Sequence, residues 1–212
     1  MPKIRQTINA LFMKKILLIS LLIILIQAAG NSQFTKVGGG IAGSTGFHFN
    51  NESDSDYRSG LFGASLRGIY AITMPLHICP SFTYFIPHVT TTSYGTGSES
   101  KLRVSSMLID VDGHYVFNSL DKIEFYALVG MNINFARTKL KSTVAGTTSK
   151  IVETDNVMGL NVGAGTYFKL TDQFDLYGEA KYIVSRYDHF IFNMGVLINL
   201  DWFIKNEEKP AK

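Results

Sequence analysis

Cysteine is almost missing from this 212-residue chain, and Cys79 stands alone. A single cysteine excludes an internal disulfide, and because none follows the apolar leader, it excludes a lipid anchor attached there. Charge is also sparse, at 17% of residues, so where each charge falls carries information. No glycine-rich loop cradles a phosphate, no basic stripe fits nucleic acid, and no helical seam marks a coiled coil. What the chain does have is 12% aromatic residues and 19 glycines, a balance that favours strands joined by turns over helices.

The first thirty residues read separately. Met13-Lys14-Lys15 precedes the apolar run ILLISLLIILIQ, and Ala28-Ala29-Gly30 follows it. A basic start, an apolar core and small residues at the end are the signature of a secretory signal peptide. The core from Ile16 to Ile26 is shorter than the roughly 20 residues that a spanning helix needs. The expected division is a signal peptide over 1–30, with Met13 as an alternative start, a barrel domain over 31–203, and a polar tail over 204–212. Removing the leader removes four cations and no acid, which takes the formal charge from +3 to −1. The basic balance of the whole chain therefore belongs to targeting and does not suggest nucleic acid as a partner.

The rest repeats one pattern. In NVMGLNVGAGTYFKL, FDLYGEAKYIVS and HFIFNMGVLINLDWF the apolar side chains fall on every second residue. Period two means strands, whose successive Cβ atoms point to opposite faces. Eight such strands are expected, at about 34–50, 60–72, 76–87, 103–117 and 123–136, then three more between 156 and 203. Short links at 73–75, 118–122 and 171–173 alternate with longer polar segments at 51–58, 88–101 and 137–155, and the link near Tyr187-Asp188 is tight. Short turns on one side and long loops on the other are what a bilayer imposes, and an even count lets the sheet close with no edge left in lipid.

The charges choose between lipid and a soluble core. With one outward phase assigned to each strand, no outward position is Asp, Glu, Lys or Arg apart from Arg103 at the first residue of the fourth, while the opposite phase carries Lys36, Arg67, Asp110, Asp112, Glu124, Lys169, Asp175, Glu179, Lys181 and Asp201. A charge facing mid-bilayer lipid costs about 2–4 kcal/mol, and a soluble barrel would show the inverse arrangement. Tyr70, Tyr84, Tyr115, Phe117, Phe125, Phe168, Phe190 and Trp202 share the outward phase near strand ends, as aromatic girdles do. The expected fold is all-β, an eight-stranded antiparallel up-and-down transmembrane β-barrel.

With YALVGMNINF, GLNVGAGTYFKLTDQFDLYGEAKY and MGVLINLDWF in view, the chain resembles the outer-membrane β-barrel families of Gram-negative bacteria, the small OmpA-, OmpX- and OmpW-like group. The resemblance covers nearly all of 34–203 and implies export to the outer membrane. It departs in two places. Family members often end at the aromatic residue of the last strand, whereas IKNEEKPAK follows Trp202-Phe203 here. Pro80 also lies inside the third strand without a ladder donor, which suggests a bulge.

Inside so narrow a barrel the side chains fill the space, and charges there must be paired. Arg67, Asp110, Asp112, Glu179 and Lys181 are the expected interior polar network, read as a structural plug with a gated ion path as the sharper reading. His77, Cys79 and Ser81 share one inward face and Asp110, Asp112 and His114 the next. A loop centred near Ser93-Tyr94 would set Cys79 against His114 and Ser81 against Asp112, within two residues. Such a set could bind zinc or serve a nucleophile, but it adjoins the short turns, and satisfied interior polar groups are the expectation. No catalytic, metal or cofactor residue is assigned. The expected function is an integral outer-membrane protein of structural or surface-interaction type. A small pore or binder of apolar molecules is the alternative, and a lipid-modifying enzyme the third reading. The expected partners are outer-membrane lipids and lipopolysaccharide, reached in part through divalent ions at Glu52, Asp54 and Asp56, and a surface partner at the loops 51–58, 88–101 and 137–155.

Overall fold

The computed structural model describes residues 34–48, 58–95, 98–144 and 147–202. The segment expected to be a leader, Phe49, the acidic residues Glu52, Asp54 and Asp56, and the segment expected to be a tail lie outside the described residues. The chain divides into two compact units, Met1–Phe34 and Thr35–Lys212, and the fold below is that of the second. Among the described residues ten strands follow in order: β1 (Phe34–Ser44), β2 (Phe47–His48), β3 (Arg58–Ser59), β4 (Phe62–Thr73), β5 (Leu76–Ser93), β6 (Ser98–Ser119), β7 (Ile123–Val144), β8 (Thr147–Lys169), β9 (Phe174–Val184) and β10 (His189–Asn199). Eight of them close an up-and-down barrel in the order β1-β10-β9-β8-β7-β6-β5-β4, while β2 and β3 form a separate antiparallel pair. Among the described residues no helix is long and apolar enough to cross a membrane.

The period-two pattern becomes a wall with two unlike faces. Along β10, Phe192 and Met194 are 51% and 58% exposed, while Ile191 and Asn193 between them are 1% and 3% exposed. The same outward face shows Leu66, Ile86, Val111, Val129, Met158 and Leu160. Arg67, Asp110, Asp112, Glu179 and Lys181 are all buried on the inward face. The outward belt therefore has no protein to cover it and no charge to hydrate it. That is the surface hydrocarbon accepts.

The inward face alternates bulky and small residues for a packing reason. A Cβ placed on Gly165 would overlap Tyr126 Oη and Cζ, and one on Gly195 would lie 2.8 Å from Tyr177 Cε1. Gly165→Val is therefore expected to destabilise the barrel by about 1–3 kcal/mol through overpacking, read as a lower midpoint in urea unfolding. Gly43→Val, where a Cβ meets nothing within 4 Å, is the control and should leave the midpoint unchanged.

Several sequence expectations are corrected. The described residues of 88–101 and 137–155 are almost all strand, not loop. The β5–β6 ladder continues to Ser93↔Glu99 and the β7–β8 ladder to Val144↔Thr147. Hydropathy alternates only where one face meets lipid, so a strand that outruns the bilayer with polar residues on both faces looks like a loop. Gly95, with φ of 82° at the β5–β6 tip, supplies the left-handed turn that this hairpin needs. The first strand stops at Ser44, so Phe47 belongs to the separate pair. The last strand stops at Asn199, and Leu200–Trp202 form a helical turn, which takes Trp202 out of the outward strand phase.

Pro80 makes no bulge: Arg67↔Ser81 and Tyr70↔Ile78 keep one register on either side of it, and Pro80 faces Val111 on β6. The missing donor is absorbed as a gap in the β4–β5 ladder. The shift in β5 falls between Phe85 and His88, at Pro87.

Candidate functional site

The barrel interior is layered along its axis. At mid-height Arg67 donates two hydrogen bonds to the Glu179 carboxylate, at 2.9 and 3.0 Å. Tyr126 Oη and Asn193 Nδ2 donate to the same group at 3.0 and 3.3 Å. Lys181 Nζ lies 2.9 Å from Asp112 and 3.3 Å from Asp110, and Asn161 Nδ2 donates to both carboxylates, at 2.9 Å to Asp110 and 2.6 Å to Asp112. Two cations thus face three carboxylates, with an amide bridging the surplus. The pairing follows from the chain path, since Glu179 and Lys181 are two apart on β9 and share a face. Glu179 reaches Arg67 on β4 and Lys181 reaches Asp110 and Asp112 on β6, so both pairs cross the lumen between strands that are not neighbours in the ring.

Aromatic and apolar layers close on this network from both ends. Toward the short turns the His114 ring stacks on Tyr126 at 4.3 Å, and Tyr126 on Tyr167 at 4.5 Å. The Arg67 guanidinium lies 4.1 Å from the centre of the Tyr177 ring. Toward the long hairpins Ala42, Phe85, Leu108, Ile183 and Ile191 form one buried cluster, and Ala136, Val157 and Tyr187 form another. Solvent reaches at most 6% of the surface of Arg67, Asp110, Asp112, His114, Glu179 or Lys181. At the short-turn mouth a cleft of about 250 Å³ is lined by Lys36, Glu124, Tyr167 and Asp175, among others, and Lys36 pairs there with Asp175 at 2.6 Å.

The second sequence constellation is brought together, two residues from its central register. His77 faces His114, Cys79 faces Asp112 and Ser81 faces Asp110. Ser81 donates its hydroxyl to Asp110 at 3.2 Å, and His114 Nδ1 shares a 2.6 Å hydrogen bond with Tyr167. Serine and imidazole thus each have another partner. No group of three or more His, Cys, Asp or Glu side chains among the described residues is placed to hold a metal ion. Sequence reasoning did not single out Tyr126, Tyr167, Tyr177 or Asn161. The available signal was tyrosine in the inward phase opposite glycine, as Tyr126 faces Gly165 and Tyr177 faces Gly195.

Outside the belt the strands are unequal. β9 and β10 are joined by a turn at 185–188, while β5 to β8 run on as a raised sheet. The turn is fastened to that sheet by Asp155 of β8, which accepts hydrogen bonds from Tyr187 Oη and Arg186. The Tyr187 bond chiefly, with Arg186 helping and partial burial opposing, holds the Asp155 carboxyl below its ordinary value of 3.8. A carboxylate with a lowered folded pKa adds stability above its unfolded pKa and loses it as pH falls through the folded one. The fastening should therefore be intact at about pH 5 and release only below the ordinary carboxylate range. Titration of the Asp155 carboxyl by NMR should give a midpoint under 3.8, and a midpoint at or above that value would contradict this geometry.

Comparison with known proteins bears on the whole barrel. The family described as outer membrane protein beta-barrel domain matches residues 16–202, and no curated protein matches the chain. The Ail attachment invasion locus protein of Yersinia pestis, solved in complex with the heparin analogue sucrose octasulfate, is similar with a TM-score of 0.50 at 15% identity, over 77% of this chain and 96% of its own. A major outer membrane protein from Thermus thermophilus gives a TM-score of 0.50 at 11% identity, over 78% and 99%. The N-terminal barrel domain of Pseudomonas aeruginosa OprF gives 0.46 at 15% identity, over 79% and 98%. At such identities the likeness is one of fold.

Proposed function

The chain belongs to the outer membrane protein β-barrel domain family, and from that premise we propose that it is an outer-membrane scaffold with a sealed barrel, whose working surface is the raised sheet of β5 to β8. The observation that carries this reading is the mid-height plug. Its charges are paired with one another, are reached by almost no solvent, and lie beneath apolar layers. An ion crossing the lumen would have to break a buried pair and pass Phe85, Leu108, Ile183 and Ile191, which offer it no polar group. Export through the leader over 1–30 and a partner at the outer hairpins are parts of the same proposal, and catalysis is not.

Planar-bilayer recording of the purified full chain tests the seal. Silent bilayers are expected at neutral pH. Steady single-channel steps that change size in Lys181→Ala would instead favour the small-pore reading. Replacing 88–100 and 138–152 by short turns should leave the barrel folded, with its shift in gel mobility on heating unchanged, because these segments lie beyond the belt.

A further inference from the structure

Above the belt, the outward face of β6, β7 and β8 is strongly cationic. Lys101, Arg103, Arg137, Lys139, Lys141 and Lys150 all share the phase of Met107, Phe135 and Met158 below them. Lys101 directly faces Lys141, Arg103 faces Lys139, and Lys141 faces Lys150 across the strands. Like charges directly opposite one another destabilise a sheet, and a merely solvated face would mix its signs. Glu99 is the one acid of these three strands in that phase among the described residues, and no described ion pair neutralises any of the six cations. The crowding shows at Lys139, where Arg137 above all, then partial desolvation, Lys150 and Arg103, lower the ammonium pKa from its ordinary value.

Height identifies what could compensate this charge. Arg137 is the next outward position on β7 after Phe135, and it faces Ser105, two residues above Met107 on β6. The cations therefore begin about 7 Å above Met107 and Phe135 and span about 13 Å, with only Val89 and Val152 as apolar residues facing them across the ladders, which is where hydrocarbon gives way to the headgroup zone.

We propose that this face is a docking surface for the phosphate groups of phosphorylated glycolipids in the outer leaflet, bound directly by Lys101, Arg103, Arg137, Lys139, Lys141 and Lys150. The inference rests on the reading that the raised sheet stands outside the outer leaflet. It differs from a divalent-ion bridge at Glu52, Asp54 and Asp56 because the protein itself supplies the positive charge. Neutralising the cross-strand repulsion would also stiffen the raised sheet, so lipid binding and order of the hairpins are coupled.

The test uses the full chain in detergent micelles titrated with diphosphoryl lipid A, with bound lipid counted by native mass spectrometry. Saturable binding is expected, and it should weaken steeply between about 50 and about 500 mM salt. The K101Q/R103Q/K139Q/K141Q variant should bind at least about tenfold more weakly, while K122Q/K169Q at the opposite mouth should bind like the parent. Equal binding of dephosphorylated lipid A by the unaltered protein would overturn the proposal whether or not the variant folds. So would an unchanged affinity in the quadruple variant, or capture of soluble dextran sulfate without capture of lipid A. Protease added to whole cells separates the two readings. Failure to cut at 94–97 would remove the outside placement of the sheet, whereas cutting there without lipid binding would remove the docking surface alone.

Discussion

Arg67→Ala is expected to lower the unfolding free energy of the barrel by about 3–5 kcal/mol. The substitution leaves Glu179 buried, 6% exposed, without its bidentate partner. It also strips the Tyr177 ring of the guanidinium beside it. The cost comes from stranding a carboxylate where water cannot reach it, more than from losing an attraction. Removing both charges together, as Arg67→Met with Glu179→Gln, should therefore recover most of the loss, because two neutral groups of similar volume need no counter-charge. Urea unfolding in lipid vesicles measures both variants. A single-substitution cost under about 1 kcal/mol would be that of an exposed surface pair and would contradict the buried plug.

Met194→Arg should cost about 2–4 kcal/mol, and Phe190→Arg on the same strand about 0–1 kcal/mol, because the penalty for a lipid-facing cation falls from the midplane to the interface. Met194 is central in β10, 58% exposed, and flanked by Ile41 and Gly178 across the two ladders. Phe190 lies next to the turn, where a long cationic side chain can reach headgroups and water. The Phe190 ring also packs on Tyr182 at 4.7 Å, so Phe190→Leu and Met194→Leu are the references that take packing out of the comparison and leave depth. Equal costs at the two positions would mean that the outward face does not meet a bilayer at this height.

The fold was legible wherever the chain meets two unlike surroundings at once. β10 alternates Phe192, Met194 and Val196 with Asn193, Gly195 and Leu197 because one phase faces hydrocarbon and the other the lumen, and that contrast is written in hydropathy. Above Met107 and Phe135 it disappears. Leu102 and Val104 still turn inward, but their outward neighbours are Lys101, Arg103 and Ser105, and a ladder continuing for several pairs looked like a loop rich in Ser and Thr. The ionised members of the plug were readable because a charge in the inward phase of a narrow barrel has nowhere to go but to a partner. Which partner it takes was not readable. Arg67 meets Glu179 across the lumen, from strands 112 residues apart, and strand alternation carries no information about contacts across an enclosed space. Pro80 shows the same limit on a smaller scale. A missing donor costs a ladder bond, but whether the strand bulges or leaves a gap depends on the neighbouring strands.

Contact between the outward face and lipid tails is what makes this barrel a membrane protein, and depth-dependent quenching of a single tryptophan tests that contact most directly. With Trp202 replaced by phenylalanine, a tryptophan placed in turn at Phe190, Met194 and Ile198 would be read in vesicles whose lipids carry bromine at known chain positions. Quenching should be strongest at Met194→Trp when the bromines sit deep in the chains, and should move to shallow bromines at Phe190→Trp and Ile198→Trp. Fluorescence at Met194→Trp that no brominated chain quenches, while a water-soluble quencher does, would contradict the barrel as a membrane-spanning structure.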